Sequence, residues 1–243
     1  MSVDIGSARI DEHGNARGGK AGDQTGNEVS TQKWYKHKKG WVVLRPINSA
    51  RAENIALDAQ FACDNKNIGY DQNDRSTLYA EAEKVGFNCA KVTKPCETDC
   101  SALVRVCLAF AGIKVKNFTT ANEVDTLMST GEFIKLTDKK YTDSDEYLLR
   151  GDILVTKTQG HTVIVLSNGK KATPNDSRSI SEIVVTSLSV YIRETPYGKV
   201  LGIGYTGDKF PYISTDTVSG WYKIRYKNSD AFITNKYTSP IYK

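Results

Sequence analysis

The spacing of apolar residues in this chain changes once, near residue 132, and that change limits the folds open to it. Before it, apolar residues recur every three or four positions, which is the spacing of amphipathic helices. After it, they come in short runs separated by turn residues, which is typical of strands. Helices followed by a series of strands predict an α+β fold, in which helices pack on an antiparallel sheet.

Capping and stop residues indicate the bounds of these elements. Asn48 or Ser49 is suited to begin a helix, and glycines follow several predicted helix ends. The predicted helices are 51–64, 78–85, 100–111 and 119–128, and the predicted strands of this part are 41–45, 133–136, 152–156, 161–166 and 170–173. The pair Asn168–Gly169 tolerates positive φ angles, so we expect a hairpin turn between the last two strands. Residues 1–33 are rich in glycine and are expected to form an ordered loop.

The helix predicted over 100–111 carries the most reactive candidate residue. Its apolar positions lie on one face, and they are Cys100, Leu103, Val104, Cys107, Leu108 and Ala111. Asp99 is a suitable cap, so Cys100 falls in the first turn, where free N–H groups and the helix dipole stabilise an anion. We therefore expect the pKa of Cys100 to be lowered, which would make it a nucleophile, whereas Cys107 is expected in the core.

Composition and charge exclude several classes of protein. The chain has no run of about 18 apolar residues, so we expect no membrane span, and its N-terminus lacks the apolar core of a secretory signal. The net charge of +5 is mild, and it favours contact with polyanions, including nucleic acid or an anionic cell wall, without selecting any of them. No nucleic-acid partner is expected. Five cysteines, an odd number, argue against a disulfide scaffold. A zinc site is the alternative for them, but no CxxC pair or nearby histidine completes one, so no metal or other cofactor is expected.

A second region begins after the polar stretch 174–184. Short strands at regular spacing follow it, and they suggest a small barrel. These predicted strands are 184–186, 188–193, 199–203, 209–214, 220–226 and 231–234. Aromatic residues are concentrated here, and those not needed in the core can form a stacking surface for sugars or peptides.

His161 is the candidate partner of Cys100. It begins a predicted strand and follows Gly160, which clears space beside it, whereas His13 and His37 lie in polar loops. A nucleophile at a helix end and a base held rigidly across from it are what a thiolate–imidazolium pair requires. A purely structural histidine is the alternative, and the residues alone leave both open.

Two blocks of sequence resemble the NlpC-type cysteine peptidases. The first is Asp99-Cys-Ser-Ala-Leu-Val104, and the second joins Gly151-Asp-Ile-Leu-Val155 to Gly160-His-Thr-Val-Ile-Val-Leu-Ser-Asn-Gly169. Both blocks occur in the family's order. The resemblance implies a papain-like core, shared with the related CHAP amidases, and cleavage of peptidoglycan stem peptides or of the amide that joins stem to glycan.

Other segments extend this resemblance over most of the chain. Residues 1–45, including Gly22-Asp-Gln-Thr-Gly26, resemble a variant found in phage and prophage lysins of Gram-positive hosts. The C-terminal strands resemble a bacterial SH3-like wall-binding domain. The implied organisation is a papain-like cysteine peptidase or amidase domain at 1–178, followed by a small all-β SH3-like barrel at 184–243.

The resemblance also assigns roles to single residues. Cys100 would be the nucleophile, and His161 would accept its proton and later donate to the leaving amine. An oxyanion donor is also needed, and the Cys100 N–H can supply one. Gln24 is the candidate for a side-chain donor, as in papain-like enzymes, against ordinary loop hydrogen bonding.

Three further residues are implied as substrate-binding. Family enzymes use the residues that flank the cysteine, here Asp99 and Ser101, together with a tyrosine from an upstream loop, for which Tyr70 is the candidate. A helix cap is the alternative role for Asp99, and turn packing is the alternative for Tyr70. The family's glycine after the Asp-Cys-Ser block is Ala102 here, which is a small change.

The third catalytic residue departs from the family pattern. By family spacing it would fall near Thr173, and threonine orients an imidazole poorly. Counting across the Asn168–Gly169 turn instead puts Asp176 opposite His161, so Asp176 is the candidate, with Asn175 beside it.

These observations together predict a peptidoglycan hydrolase of phage endolysin type. Cys100 would attack an amide of the stem peptide in Gram-positive walls, acting as a γ-D-glutamyl-diamino-acid endopeptidase or an N-acetylmuramoyl-L-alanine amidase. The C-terminal module would hold the enzyme on the wall. We expect synthesis in the host cytoplasm without a signal peptide, no stable membrane insertion, and release by a separate membrane-permeabilising protein. The alternatives are an inactive wall-binding protein and a cytosolic thiol acyltransferase.

Overall fold

The structure is a computed structural model, and it describes residues 2–173, 180–216 and 219–242. Contacts within the chain divide it into two compact units, residues 1–177 and 178–243. The first unit is mixed α/β, with a sheet and helices, and the strands described in the second unit form a separate all-β region.

The main sheet of the first unit is antiparallel. The strands of this unit are β1 (Asp4–Ala8), β2 (Val29–Lys33), β3 (Trp41–Pro46), β4 (Ile68–Tyr70), β5 (Cys96–Thr98), β6 (Phe133–Leu136), β7 (Ile153–Thr156) and β8 (Thr162–Val165). Of the described strands, six form one sheet in the order β2-β1-β8-β7-β3-β6, while β4 and β5 form a separate parallel pair. The N-terminal strand therefore lies in the interior of the sheet, beside β8.

The helices begin largely where the capping residues predict. They are α1 (Ser49–Asp64), α2 (Thr77–Glu83), α3 (Cys100–Phe110), α4 (Glu123–Ser129) and the short α5 (Lys139–Thr142), with a 3-10 turn at Cys89–Lys91. The side chain of Asn48 caps α1 by accepting from the Ala50 and Arg51 N–H groups. The fourth helix begins later than predicted, because Thr119 and Asn122 close a turn with each other through their backbones and the Asn122 side chain.

Both faces of the main sheet are covered. Alternate residues of β7 and β8 point to opposite faces. Ile153, Val155 and Ile164 pack with α1 and α3, whereas Leu154 and Val163 pack with Trp41 and Tyr141. Since both faces are buried, β7 and β8 read as continuous apolar runs rather than as alternating ones.

Two features of the first unit contradict the sequence-based expectations. Residues 4–8 and 29–33 are strands, where a loop was expected. The strand predicted at 170–173 and the Asn168–Gly169 hairpin are wrong, because the Gly169 N–H donates to the Leu148 carbonyl and the Lys171 N–H to Glu146. A strand returning from an Asn168–Gly169 hairpin would have to pair with the free edge of β8. That edge is already occupied by β1, so the hairpin cannot form even though Asn-Gly favours a turn.

Glycines of the N-terminal loop mark close backbone approaches, as predicted. Gly22 has a φ of +87° and its N–H donates to the Cys96 carbonyl. A Cβ on Gly69 would lie 2.4 Å from the Gly22 carbonyl oxygen, so a larger residue has no room there. The loop between β1 and β2 is thereby fastened to the β4–β5 pair, directly before the helix that carries Cys100.

The second unit is built from strands around a small aliphatic core. Its strands are β9 (Ile180–Val185), β10 (Ser189–Arg193), β11 (Val200–Tyr205), β12 (Lys209–Thr215), β13 (Tyr222–Tyr226), β14 (Ser229–Ile233) and β15 (Thr238–Tyr242), in the order β11-β10-β14-β13-β12-β9-β15. The core includes Ile183, Ile192 and Ile233. Strand β15 was not predicted, and it carries Pro240 at the edge of the sheet, where a missing N–H is tolerated.

The helices seen in the described part of the chain are too short or too polar to cross a bilayer.

A buried ion pair joins β3 to the turn that precedes β7. Arg45 of β3 donates through Nε and Nη2 to the two carboxylate oxygens of Asp152, at 2.8 and 2.7 Å, and also to the Tyr147 carbonyl. Both side chains are about 1% exposed. Asp152 in turn accepts the Leu149 N–H, so one carboxylate orients the turn that leads into β7.

Replacing Asp152 with asparagine should destabilise the first unit strongly. The change removes the charge of the carboxylate that pairs with the buried Arg45 guanidinium, which costs about 3–5 kcal/mol in comparable buried pairs. The free energy of unfolding, measured by urea denaturation followed by circular dichroism, should fall by an amount in that range. Asp4→Asn breaks the exposed Lys33–Asp4 pair and should change it by about 1 kcal/mol at most. Equal small losses in both variants would contradict the role assigned to the buried pair.

Candidate functional site

Cys100 is the first residue of α3, as predicted. Asp99 precedes the helix in extended conformation, and its Oδ1 accepts the Ala102 N–H at 2.7 Å and the Ser101 hydroxyl at 3.0 Å. Asp99 is thus the helix cap, which satisfies one of the free N–H groups of the first turn. The inner face of α3 packs in the core, with Cys107 fully buried.

Arg75 holds this cap, and nothing in its local sequence indicated so. Its Nε and Nη2 both donate to the Asp99 carboxylate, and Nη2 also donates to the Ser101 hydroxyl at 2.8 Å. The same group reaches the Phe118 carbonyl at 2.8 Å, and Nη1 reaches the Asn117 side chain. Asp99 and Ser101, predicted to bind substrate, are therefore bound to Arg75 here.

The chain next to His161 lies against the sulfur of Cys100. The backbone N–H of Thr162, one residue beyond His161, interacts with Cys100 Sγ and lowers the pKa of that thiol. The His161 backbone is fixed by Thr156, whose N–H donates to the His161 carbonyl and whose Oγ1 accepts the His161 N–H. The structure therefore brings the start of β8 to the N-terminus of α3.

The imidazole of His161 lies among aromatic rings. Its centroid is 6.4 Å from the rings of both His37 and Trp41, and the rings of Tyr35 and Trp41 meet edge to face at 5.8 Å. Within the described residues, the hydrogen bonds of His161 are made by its backbone. His37, which was not predicted as a site residue, thus contributes to the surroundings of this imidazole, and Tyr35 packs against His37 and Trp41 in turn.

Burial keeps both candidate residues neutral. It raises the pKa of Cys100 to about 12, assisted by the charges of Asp99 and Glu123 and opposed by the N–H groups of Thr162 and Ser101. It lowers the pKa of His161 to about 4, assisted by the charges of His37 and Arg9. The expectation that the helix end lowers the pKa of Cys100 is wrong for this structure, because loss of hydration outweighs the helix dipole.

Two tyrosines lie close enough to Cys100 for its charge to affect them. The pKa of Tyr70 is raised to about 12, chiefly by burial, and the charge of Cys100 contributes to that shift and to a smaller one at Tyr35. The Tyr70 hydroxyl accepts a hydrogen bond from Gln72 at 3.2 Å. The structure therefore places Tyr70 near Cys100, with most of its side chain buried.

Gln24 is engaged within its own loop. Its side-chain amide donates to the carbonyls of Ala21 and Gly22, at 3.1 and 2.8 Å, and its N–H donates to Glu28 Oε1. Glu28 also accepts the Tyr70 N–H at 3.2 Å, so this loop is linked to the strand that leads to Tyr70. The oxyanion role of Gln24 stays a prediction.

The third catalytic residue is not identified by the structure. Asp176 and Asn175 lie outside the described residues, and the hairpin from which Asp176 was counted is absent. On the side of β8 away from β7 the neighbouring strand is β1, whose register pairs Ile5 with Val165 and Gly6 with Ile164. Continued by three residues, that register places Arg9 opposite His161, consistent with the effect of Arg9 on the pKa of His161.

Glu97, three residues before Cys100 in the chain, is a buried carboxyl group. Glu97 of β5 is 3% exposed, and in the described part of the chain neither of its oxygens has a hydrogen-bond partner. Burial raises its pKa to about 8, and the charges of Glu28 and Asp71 add to the shift. No three His, Cys, Asp or Glu residues in the described ranges are placed to hold a metal ion.

All five cysteines are free and buried. Cys89 Sγ donates to Asp58 Oδ2 at 3.2 Å, and Cys107 also hydrogen bonds to Asp58. Burial raises the pKa of Asp58 to about 6. These contacts assign Cys89 and Cys107 to the core between α1 and α3, and they separate both from Cys100 at the helix end.

Comparison with protein families gives a match for most of this unit. A family model described as an endolysin-like domain matches residues 5–172. The matched range runs from β1 past β8, so it contains both Cys100 and His161. Comparison with curated proteins gives no match.

Glu97 should make the first unit less stable as the pH rises. The folded protein keeps a proton on Glu97 up to about pH 8, whereas the unfolded chain releases it near 4.5. Between these values the unfolded state binds fewer protons, so stability falls by roughly 1.4 kcal/mol per pH unit. In urea denaturation, Glu97→Gln should make the fall shallower by that amount, and the contribution of Glu123, whose pKa burial also raises to about 8, should remain. Glu83→Gln, an exposed change on α2, should keep the wild-type slope, and an unchanged slope in Glu97→Gln would contradict the assignment.

Proposed function

The chain belongs to the endolysin-like domain family, and we propose that it hydrolyses peptidoglycan by attack of Cys100 on an amide of the stem peptide. Family membership suggests a cell-wall hydrolase with peptidoglycan as substrate. The observation that carries the cysteine mechanism is the position of Cys100. It begins a capped helix, and the backbone that follows His161 lies against its sulfur.

In this proposal His161 acts as a neutral base. Because burial lowers its pKa to about 4, its ring nitrogen is free to accept a proton at neutral pH. Because burial also raises the pKa of Cys100, the thiol keeps its proton until attack begins. Proton transfer to His161 then accompanies formation of the S–C bond. The imidazolium donates that proton to the leaving amine, and water hydrolyses the acyl-enzyme with His161 again as base.

The N-terminus of α3 is suited to stabilise the oxyanion. The Cys100 N–H belongs to the first turn, whose N–H groups have no acceptor within the helix. One donor of this kind contributes about 3–4 kcal/mol to acyl transfer in comparable enzymes. The Ala102 N–H is already taken by Asp99, so Cys100 itself is the better donor.

A papain-like interpretation of the first unit fits these elements. A helix with the nucleophile at its N-terminus packs on an antiparallel sheet, and the strand with the histidine contacts that end of the helix. The N-terminal strand β1 occupies the edge of β8 where the Asn168–Gly169 turn predicted a returning strand. We propose that this is a rearranged form of the papain-like core.

We further propose that the second unit binds the wall as an SH3-like module. A cavity of about 500 Å³ lies on it, lined by Tyr191, Arg193, Ile203, Trp221 and Tyr237 among others. Tyr191 is about half exposed, and Arg193 lies over its ring. Exposed aromatic faces beside a cation suit stacking on sugars and contact with peptide carbonyls. Release to the wall through a lesion made by another protein belongs to the same proposal.

Two bonds of peptidoglycan are candidates for the amide that is cut, and each corresponds to a different activity. A γ-D-glutamyl-diamino-acid endopeptidase and an N-acetylmuramoyl-L-alanine amidase both attack an amide with this chemistry. Mass spectrometry of digested muropeptides distinguishes them, because the first leaves a shortened stem on the glycan and the second leaves none.

One observation favours a second candidate, an inactive wall-binding protein. Cys100 is only 8% exposed, and both members of the pair are neutral at rest. Such a site is inert unless substrate draws the proton from sulfur to imidazole. Activity on purified walls decides between the two candidates.

Cys100→Ala should abolish wall hydrolysis. Removing the nucleophile leaves no group to form the acyl-enzyme, so the rate of turbidity loss of Gram-positive cell walls should fall at least about a thousandfold. Cys96→Ala, which removes a buried thiol from β5, is the matched control and should keep activity. Equal lysis by wild type and Cys100→Ala would sink the cysteine mechanism, and no lysis by either would favour the wall-binding protein.

Tyr191→Ala should weaken retention on walls without affecting the cysteine site. Loss of one stacking ring should reduce binding roughly three- to tenfold in a pull-down on purified walls. Tyr205→Ala removes another exposed tyrosine of the second unit that does not line the cavity, and it should bind as wild type does. Equal losses in the two variants would show that the cavity is not the binding site.

A further inference from the structure

Glu123 is a buried acid beside the nucleophile, and the proposed mechanism does not use it. It is the first residue of α4 and is fully buried. Its Oε1 accepts the Thr162 hydroxyl at 2.8 Å, and within the described residues its Oε2 is buried without a hydrogen-bond partner. A buried carboxylate is strongly destabilising unless it is paired or neutral, so the neutral form of Glu123 is favoured in this place.

Thr162 connects this acid to the sulfur. Its hydroxyl donates to Glu123, and its backbone N–H interacts with Cys100 Sγ. Glu123 also acts on Cys100 directly, because its negative charge is among the causes that raise the pKa of that thiol. Glu123 and Cys100 therefore both interact with Thr162, and the charge of Glu123 affects the pKa of Cys100.

The segment before α4 makes a second hydrogen bond to the backbone beside His161. The Thr120 hydroxyl accepts the Gly160 N–H at 3.0 Å. Gly160 and Thr162 flank His161 on either side. Residues 120–123 thus fasten the backbone before and after His161.

We propose that Glu123 is a positioning residue of the cysteine site: as a neutral acid it holds the start of β8, and with it His161, against Cys100, and as an anion it hinders loss of the Cys100 proton. The inference rests on the proposed function of Cys100 as nucleophile. It adds an acid whose ionisation at alkaline pH limits formation of the Cys100 thiolate.

The charged groups around Glu123 support its neutral form. Asp99, the cap of α3, raises the pKa of Glu123, whereas the Thr162 hydroxyl and the more distant charge of Arg75 lower it. Burial is the largest effect and brings the pKa to about 8. Its helix neighbour Asp125 is exposed. Below about pH 8 Glu123 therefore keeps its proton, and above it a negative charge stands beside the sulfur.

Alkylation of Cys100 tests this without any substrate. Iodoacetamide reacts with thiolate, and peptide mass spectrometry resolves Cys100 from Cys96. For the wild type, the rate at Cys100 should rise with pH, lag around pH 8 while Glu123 ionises, and rise again above it. For Glu123→Gln, which keeps a hydrogen-bonding group but cannot ionise, it should keep rising and exceed the wild type by about threefold or more near pH 9.5. Parallel profiles would overturn the proposal.

Two further variants separate positioning from folding. Asp125→Asn, an exposed change on the same helix, should follow the wild-type profile. Thr162→Val removes only the hydroxyl that binds Glu123 and should lower the alkylation rate near neutral pH, because the backbone next to Cys100 is released. If Glu123→Gln does not fold, the wild-type curve still decides, since a constant slope through pH 8 contradicts the proposal. Wall hydrolysis by wild type and by Cys100→Ala is measured in a separate assay. Failure of the proposed hydrolase function can therefore be distinguished from failure of the role proposed for Glu123.

Discussion

The candidate site depends on one carboxylate, that of Asp99. It accepts hydrogen bonds from the Ala102 N–H, the Ser101 hydroxyl and two nitrogens of Arg75. Through Arg75 it also reaches the carbonyl of Phe118, on the segment that leads to α4. The N-terminus of α3, the loop before α2 and the approach to α4 therefore meet at a single group. Its negative charge builds the helix end, and the same charge opposes ionisation of the adjacent thiol.

Burial decides the protonation of this neighbourhood. Cys100, His161, Glu97 and Glu123 are all shifted toward their neutral forms, and loss of hydration is the largest cause in each case. A neutral thiol is a poor target for oxidation, because the thiolate is the reactive species. Burial therefore lowers the reactivity of the Cys100 thiol and also protects its sulfur from oxidation.

Local patterns in the sequence predicted the helices well and the sheet only in part. The helix at Cys100 was predictable because its cap, its apolar stripe and its stop are neighbours in the chain. Strands β7 and β8 were visible as apolar runs. Strand β1 was not, since its partner β8 lies more than 150 residues away and its residues, Asp4 to Ala8, show no clear alternation.

The supporting residues of the site were harder to predict for a related reason. Arg75 and Glu123 are charged, and charged residues are usually placed on the surface. Only the folded contacts show that one is bound to the cap of α3 and that the other is enclosed beside Thr162. Asp176 stays a prediction, but the hairpin across which it was counted is absent, because the strand pairing of distant segments overrode that local turn signal.

The pairing of β1 with β8 also has a consequence for how the chain folds during synthesis. The strand made first lies between β2 and β8 in the finished sheet, and its register with β8 is completed only when Val165 is available. Closing so long a loop is entropically costly and slow, and it cannot start before the ribosome has released that segment. The helix bearing Cys100 is synthesised well before its histidine-bearing strand. A nascent or prematurely ended chain therefore carries the thiol without the strand that completes the site.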